Sequence, residues 1–286
     1  MSDTVEIFEV APRDGLQNEK TMIPAARKIA LTDALSRVGF RRIEVASFVS
    51  PKWVPQMADG ADVLAGITRA PGVSYAALTP NMRGFERAMD AKADEIAIFG
   101  AASEAFSRAN INKSIADSLA AFAPIAQAAK AAGVPMRGYV SCVVHCPYEG
   151  EVDPQAAAYV ARALFEMGCY EVSLGDTTGQ GTPDTVAAML KAVAGMVPVA
   201  HLAGHYHDTN GQALDNIEVS LDAGLRVFDA AAGGLGGCPN APGAKGNVAT
   251  EAVNGRLVAL GYDTGLDAEL LAKAAELAKS LRGADV

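Results

Sequence analysis

A chain of 286 residues, half of them hydrophobic and one fifth charged, carries enough apolar surface for a sizeable core, which excludes a disordered or fibrous protein. Its formal net charge of -9 excludes general nucleic-acid binding and docking on an anionic membrane, since both need a positive field. With that charge an anionic substrate would have to be met by a local cationic pocket, and no apolar run approaches the roughly 18 to 20 residues of a membrane span.

In chain order, β-rich runs are predicted at residues 5–10, 42–48, 73–78, 95–99, 136–143, 171–174, 199–207 and 227–231. The stretches between them, such as 24–38, 115–132, 154–167 and 183–196, place apolar residues at helical spacing and open on proline or a capping residue. Eight strand-helix units of about 30 to 35 residues match an α/β fold of the (β/α)8 TIM-barrel type, whereas an open doubly wound sheet usually stops at about five to seven strands. No linker-like or low-complexity segment divides the chain, so one catalytic domain over 1–286 is expected, with an extra C-terminal helix at 267–281 and disorder only at 283–286. The cysteines Cys142, Cys146, Cys169 and Cys238 form no CxxC pair, and nothing like a secretory signal precedes residue 5. Reduced thiols and a cytoplasmic location are expected. With His145, Cys142 and Cys146 make only half a zinc site.

In such a barrel, catalytic groups sit at the C-terminal ends of the strands. The segment Gly204-His205-Tyr206-His207-Asp208-Thr209 places two of the four histidines two residues apart, so both imidazoles share one strand face. Packing gives no reason for two titratable rings there, and a divalent metal does. His201 has the same parity but lies four residues deeper and is left out of the site. Asp14, following Arg13 where the first strand meets a turn, is either an Asp-Gly turn residue or the carboxylate of a two-His, one-carboxylate set. Glu44 interrupts an apolar strand and needs a partner, which Arg13 or a metal-bound water could supply, the alternative being a plain ion pair with Arg13, Arg41 or Arg42. The loop Gly233-Gly234-Leu235-Gly236-Gly237-Cys238-Pro239 allows close backbone approach to a ligand and is expected to move before substrate binds. Cys238 at its tip is either a reactive thiol or incidental.

Pro12-Arg13-Asp14-Gly15-Leu16-Gln17, Phe48-Val49-Ser50-Pro51-Lys52-Trp53-Val54-Pro55-Gln56, Cys146-Pro147-Tyr148-Glu149-Gly150, Leu174-Gly175-Asp176-Thr177, the His-x-His-Asp-Thr segment and Gly234-Leu235-Gly236-Gly237-Cys238-Pro239 occur in one order over nearly the whole chain. In this the sequence resembles the hydroxymethylglutaryl-CoA lyases, metal-dependent barrels with an Asp-Arg-Glu set that corresponds to Asp14, Arg13 and Glu44. The resemblance implies cleavage of 3-hydroxy-3-methylglutaryl-CoA to acetyl-CoA and acetoacetate, in leucine breakdown, with Mg or Mn bound by Asp14, His205, His207 and Asn247. Asn247 would offer its amide oxygen; its alternative role is a helix N-cap. Arg13 would face the thioester oxygen, His205 or Asp14 would take the alcohol proton, Cys238 would protonate the leaving carbanion, and Asp176 and Glu44 would order the groups around the metal.

The partner expected is a small-molecule CoA thioester, with a homodimer left open. Its phosphates need a positive patch, for which Lys20, Asn110 and Lys113 are the candidates, together with Arg108 and Lys52. Asn210 and Asn240 stand where the pattern usually has tyrosine, both expected near the pocket, so a bulkier 3-hydroxy-3-substituted glutaryl-CoA is an alternative substrate. Isopropylmalate- or citramalate-type synthases are a weaker alternative, since they append a domain that is not expected after Val286. A catalytically silent metal- or CoA-binding barrel would have no use for an open coordination position beside Arg13.

Overall fold

The computed structural model describes residues 3–236 and 246–282. Eight parallel strands, β1 (Glu6–Glu9), β2 (Arg42–Ser47), β3 (Ser74–Leu78), β4 (Glu95–Ala101), β5 (Met136–Ser141), β6 (Glu171–Asp176), β7 (Leu202–Tyr206) and β8 (Val227–Ala230), close into a barrel in sequential order, with β1 hydrogen-bonded to β8. Around it run α1 (Ala25–Leu35), α2 (Gly60–Gly66), α3 (Met82–Asp90), α4 (Glu104–Ile111), α5 (Ile115–Ala132), α6 (Pro154–Glu166), α7 (Pro183–Ala194), α8 (Ala213–Asp222), α9 (Thr250–Ala259) and α10 (Ala268–Lys279). This is the (β/α)8 TIM barrel with its additional C-terminal helix: α10 packs against α1 and the turn at Ala232–Gly234.

Six of the ten α-helices among the described residues begin where the sequence supplies an acceptor for their free N–H groups. Asn81, Ser103, Ser114, Asp153, Thr182 and Asp267 each accept a backbone N–H from the first turn of the helix that follows, a contribution of about 1 kcal/mol per cap. The inner faces of the helices bury Leu31, Phe122, Ile125, Leu164, Met189, Ile217 and Leu257 against the outer face of the sheet, and this layer is the hydrophobic core. The barrel interior is different. Layers of branched aliphatics usually fill it, but here Arg137, Glu171, Asp229, Ser173, Glu44 and Tyr139 are buried on the strands that line it.

Two expectations need correction. Residues 199–207 do not form one strand: Val199–His201 is a 3-10 turn before β7. His201 therefore leaves the barrel face, packs its ring 5.0 Å from that of Phe165 and places Nδ1 2.7 Å from the Tyr170 carbonyl. Residues 136–143 do not form one strand either, because Cys142 takes a left-handed conformation (φ 58°) that ends β5 at Ser141. The short helices α2, α3 and α4 fall in stretches whose helical period is too brief to stand out in the sequence.

Candidate active site

At the C-terminal rim, residues Ala11–Gly15 wind into a single π-helical turn after β1, with Pro12 near its start. Gly15 is required there, since a Cβ at this position would lie 2.8 Å from that of Leu235. The turn aims Arg13 and Asp14 across the barrel mouth. Arg13 Nε donates to Glu44 Oε2 at 2.6 Å and its NH1 donates to Asp14 Oδ1 at 2.7 Å. Arg13 is thus the Glu44 partner left open by the sequence, while Arg42 pairs with Glu6 and Glu171. An Arg has five N–H donors, so after Asp14 and both contacts to Glu44 two remain for a ligand.

His205 lies in β7, and His207 one residue beyond its end, their ring centroids 5.3 Å apart. The segment after the rim loop runs back beside this strand: Asp208 N–H donates to the Gly246 carbonyl and Val248 N–H to that of Tyr206. That pairing sets Asn247 opposite His207. Asn247 is not a helix cap, a place taken by Ala249. Nor does it present its amide oxygen to the cluster; its amide nitrogen donates to Asp14 Oδ2 at 2.7 Å and to the Leu235 carbonyl at 3.2 Å. Gly236, at φ +105°, keeps the loop against that amide, where a Cβ would come within 2.6 Å of the nitrogen.

Ligand atoms of Asp14, His205 and His207 lie within 4.8 Å of one another, in the one such group of three among the described residues. One carboxylate and two imidazoles are donors that suit a divalent ion. Three further features fit one. Burial, and then the neighbouring His205, push the His207 imidazole down to about 4, so it is neutral and able to ligate at neutral pH. Burial would raise the Asp14 carboxyl, but Arg13 and the two imidazoles outweigh it and hold the group at about 2. His207 Nδ1 is buried without a hydrogen-bond partner.

The cluster opens into a cavity of about 920 Å³, within the range of small-molecule sites. Asn110 and Lys113 line it, in the segment that closes α4; Lys20, Lys52 and Arg108 are exposed and lie outside the lining. Asn210 is also away from the cavity, exposed and donating to Gln180 Oε1 at 3.0 Å. Cys238 and Asn240, and residues 283–286 expected to be disordered, lie outside the described residues. Asp176 turns from the cluster to its own loop and accepts the N–H groups of Gly181 and Gln180 at 2.8 and 3.3 Å. His145, Cys142 and Cys146 make no metal group: the imidazole meets the Thr178 hydroxyl and Cys146 that of Ser103.

Sequence reasoning missed Tyr139, whose ring lines the cavity and whose buried hydroxyl has no partner. It also missed Asp229, 3.2 Å from His205 Nδ1, and Arg137, which holds Asp229. The signal was available, since all three are polar residues within apolar strand runs, the pattern that singled out Glu44.

A family model described as HMGL-like matches residues 4–278. The 3-hydroxy-3-isohexenylglutaryl-CoA/hydroxy-methylglutaryl-CoA lyase of Pseudomonas aeruginosa is 57% identical over 95% of this chain and 91% of its own length. The crystal structure of the HMG-CoA lyase from Brucella melitensis is 61% identical, with a TM-score of 0.97 over 98% of this chain and 99% of that one. A third, an HMG-CoA lyase from Acinetobacter baumannii in complex with coenzyme A and 3-methylmalate, is 37% identical with a TM-score of 0.93, covering 100% of this chain and 93% of that one.

Proposed function

The chain belongs to the HMGL-like family, and on that premise we propose that it is a metal-dependent lyase cleaving 3-hydroxy-3-methylglutaryl-CoA to acetyl-CoA and acetoacetate. The observation that carries this reading is the Asp14, His205 and His207 cluster set beside Arg13 in a cavity large enough for a thioester.

The reaction breaks the bond between C2 and C3 of the acyl chain. The alcohol proton leaves, C3 becomes the ketone of acetoacetate, and the bond electrons pass to the thioester enolate, which is then protonated to acetyl-CoA. A bound Mg or Mn ion, held by Asp14, His205 and His207, would supply Lewis acidity at the substrate oxygens. Asn247 orients Asp14 by donating to it, and a turn of its amide would exchange nitrogen for oxygen at that point. Arg13 aims its two free N–H groups at the thioester oxygen, where negative charge develops. The alcohol proton is taken up in the metal-bound neighbourhood of His205 or Asp14, and Cys238, on the glycine loop, is the proposed donor to the enolate carbon. Glu44 holds Arg13 in place. Asn110 and Lys113, both in the cavity lining, are the proposed contacts to the coenzyme A moiety. No helix among the described residues is long and apolar enough to cross a membrane, and a cytoplasmic setting in leucine breakdown is the proposed context.

A second reading is favoured by the Pseudomonas relative, whose name includes the isohexenyl substrate. Leu78, Phe99 and Val140 line the cavity with apolar surface that a longer 3-substituent could cover. Acetoacetate release from hydroxymethylglutaryl-CoA, assayed with and without a chelator and beside a longer-chain analogue, tests both readings. Absence of metal-dependent product from either thioester would defeat the enzyme reading.

A further inference from the structure

Behind His205 lies a buried set of groups that the cleavage chemistry does not use. The parallel pairing of β7 and β8 places Asp229 directly beside His205 in register. Asp229 Oδ1 accepts from Arg137 NH2 at 2.7 Å, and Oδ2 accepts from Arg137 NH1 at 3.1 Å and from the Ser173 hydroxyl at 2.7 Å. The same Oδ2 lies 3.2 Å from His205 Nδ1. Arg137 cannot drift from this position. Its guanidinium is wholly buried between the rings of Phe8 and Tyr139, at 4.2 and 4.9 Å, and its Nε donates to Glu171 at 2.7 Å.

We propose that Asp229, held by Arg137, is a positioning residue that fixes the tautomer of His205 and so presents its Nε2 lone pair to the metal. An ionised carboxylate can only accept hydrogen bonds. With three donor contacts from Arg137 and Ser173 already made, Asp229 forces the fourth, His205 Nδ1, to carry a proton. In the neutral ring Nε2 is then left unprotonated toward Asp14 and His207, the condition for ligation. A plain ion pair inside the barrel would serve packing alone, with no need of a third partner on a metal ligand. His207 has no such support, since its Nδ1 is buried without a partner. The two imidazoles are therefore unequal: one is pre-set by protein, the other is free to adjust. This inference rests on the metal-dependent reading of the site.

Asp229→Asn makes the test sharp. The 2.7 Å bond from Arg137 NH2 keeps an oxygen at the Oδ1 position, so the new NH2 group takes the Oδ2 position, gives up the longer 3.1 Å contact from Arg137 NH1, turns the Ser173 hydroxyl into an acceptor and donates to His205 Nδ1. The proton is then displaced to Nε2, the wrong-tautomer effect known from Asp→Asn in the serine-protease triad. Metal-free protein titrated with Mn²⁺ alone should show about 10- to 100-fold weaker binding in Asp229→Asn. The ring ¹⁵N signals of His205 in the metal-free protein should move from the Nδ1-protonated to the Nε2-protonated pattern. Wild-type Mn²⁺ affinity in the variant, with an unchanged tautomer, would overturn the positioning role while leaving the lyase reading intact. Should the variant fail to fold, the wild-type spectrum decides alone, because a neutral His205 protonated at Nε2 and not at Nδ1 in metal-free protein contradicts the proposal. A wild-type protein that binds no Mn²⁺ would instead count against the metal-dependent reading itself.

Discussion

The two ends of the barrel treat buried charge in opposite ways. At the N-terminal floor every charge is answered. Arg42 donates to Glu6 and Glu171 at 2.6 and 3.0 Å, Arg137 joins Glu171 to Asp229, and Glu95 accepts from the Tyr170 hydroxyl at 2.5 Å. At the C-terminal rim, Glu44 Oε1, Tyr139 OH and His207 Nδ1 are buried without partners; among the described residues only Asn216 Oδ1, outside the cavity lining, shares that state. Leaving a buried polar group unpaired costs about 1 to 3 kcal/mol. The floor avoids that cost, and the rim accepts it at Tyr139 and His207, which line one cavity, and at Glu44, which holds the cavity's Arg13; this marks the rim as the end built to receive a ligand.

Metal removal breaks the comparison most directly. If the rim atoms are open because they hold a metal and substrate, chelation should lower turnover by on the order of 10³-fold or more, the several kcal/mol that a Lewis acid contributes. Unfolding should stay cooperative in chelator, since the floor is paired without any ion. Retained turnover in chelator, or collapse of the thermal transition, would show that the two ends do not divide their labour in this way.

Arg42→Met strikes the floor. It leaves the half-buried Glu6 without its arginine and Glu171 with Arg137 alone; breaking a fully buried pair by removing one partner costs about 3 to 5 kcal/mol, and the partial exposure of Arg42 and Glu6 brings this one to about 2 to 4 kcal/mol. A fall in Tm of roughly 4 to 8 °C is expected, with KM for the thioester unchanged. A KM change with little loss of stability would move Arg42 from scaffold to site.

Glu9 shows that height in the barrel does not by itself decide which kind of group a residue becomes. It ends β1 near the rim, yet its carboxyl accepts from Ala11 N–H, Ala232 N–H and the Thr250 hydroxyl at 2.8, 3.0 and 2.8 Å. Burial raises its pKa from 4.5 to about 7. Because the folded-state value is the higher one, the stabilising contribution is complete below pH about 4.5 and is lost as pH rises through about 7. Glu9→Gln removes the titration, so the variant should match wild type in acid and exceed it by up to roughly 3 kcal/mol at pH 8, the free-energy equivalent of that shift. Chemical denaturation of both proteins across this pH range measures the difference, and parallel curves would refute the assignment.

Periodicity and parity were enough to read the barrel from the sequence, because parallel strands buried on both faces and amphipathic crossover helices leave unmistakable traces. The same parity brought His205 and His207 to one place, and the break in apolar pattern at Glu44 pointed to Arg13. Tertiary terms were hidden. The sequence around 199–207 does not reveal that its first three residues turn before the strand starts, so His201 could not be placed. Asn247 was assigned through the resemblance and not through periodicity, and only the pairing of the 246–249 segment with β7 shows how its amide comes to lie beside Asp14. Arg137 and Asp229 carry no local signature that separates a positioning group from an ion pair, since their meaning depends on which strand lies next to β8.

Tyr139→Phe is the smallest change and the most discriminating. The two arginines that face its ring, Arg13 at 5.6 Å and Arg137 at 4.9 Å, contact the aromatic face, which phenylalanine retains. The lost hydroxyl is buried and unpaired, so its removal should leave Tm unchanged or raise it by the equivalent of about 1 kcal/mol. If that hydroxyl is open in order to meet the thioester, its loss should raise KM or lower kcat by about 2- to 10-fold, the worth of one hydrogen bond. A floor residue would behave in reverse, losing stability while keeping its kinetics. A Tyr139→Phe protein that lost stability with unchanged kinetics would therefore place the phenol with the scaffold, and the boundary between the two ends would have to be drawn above it.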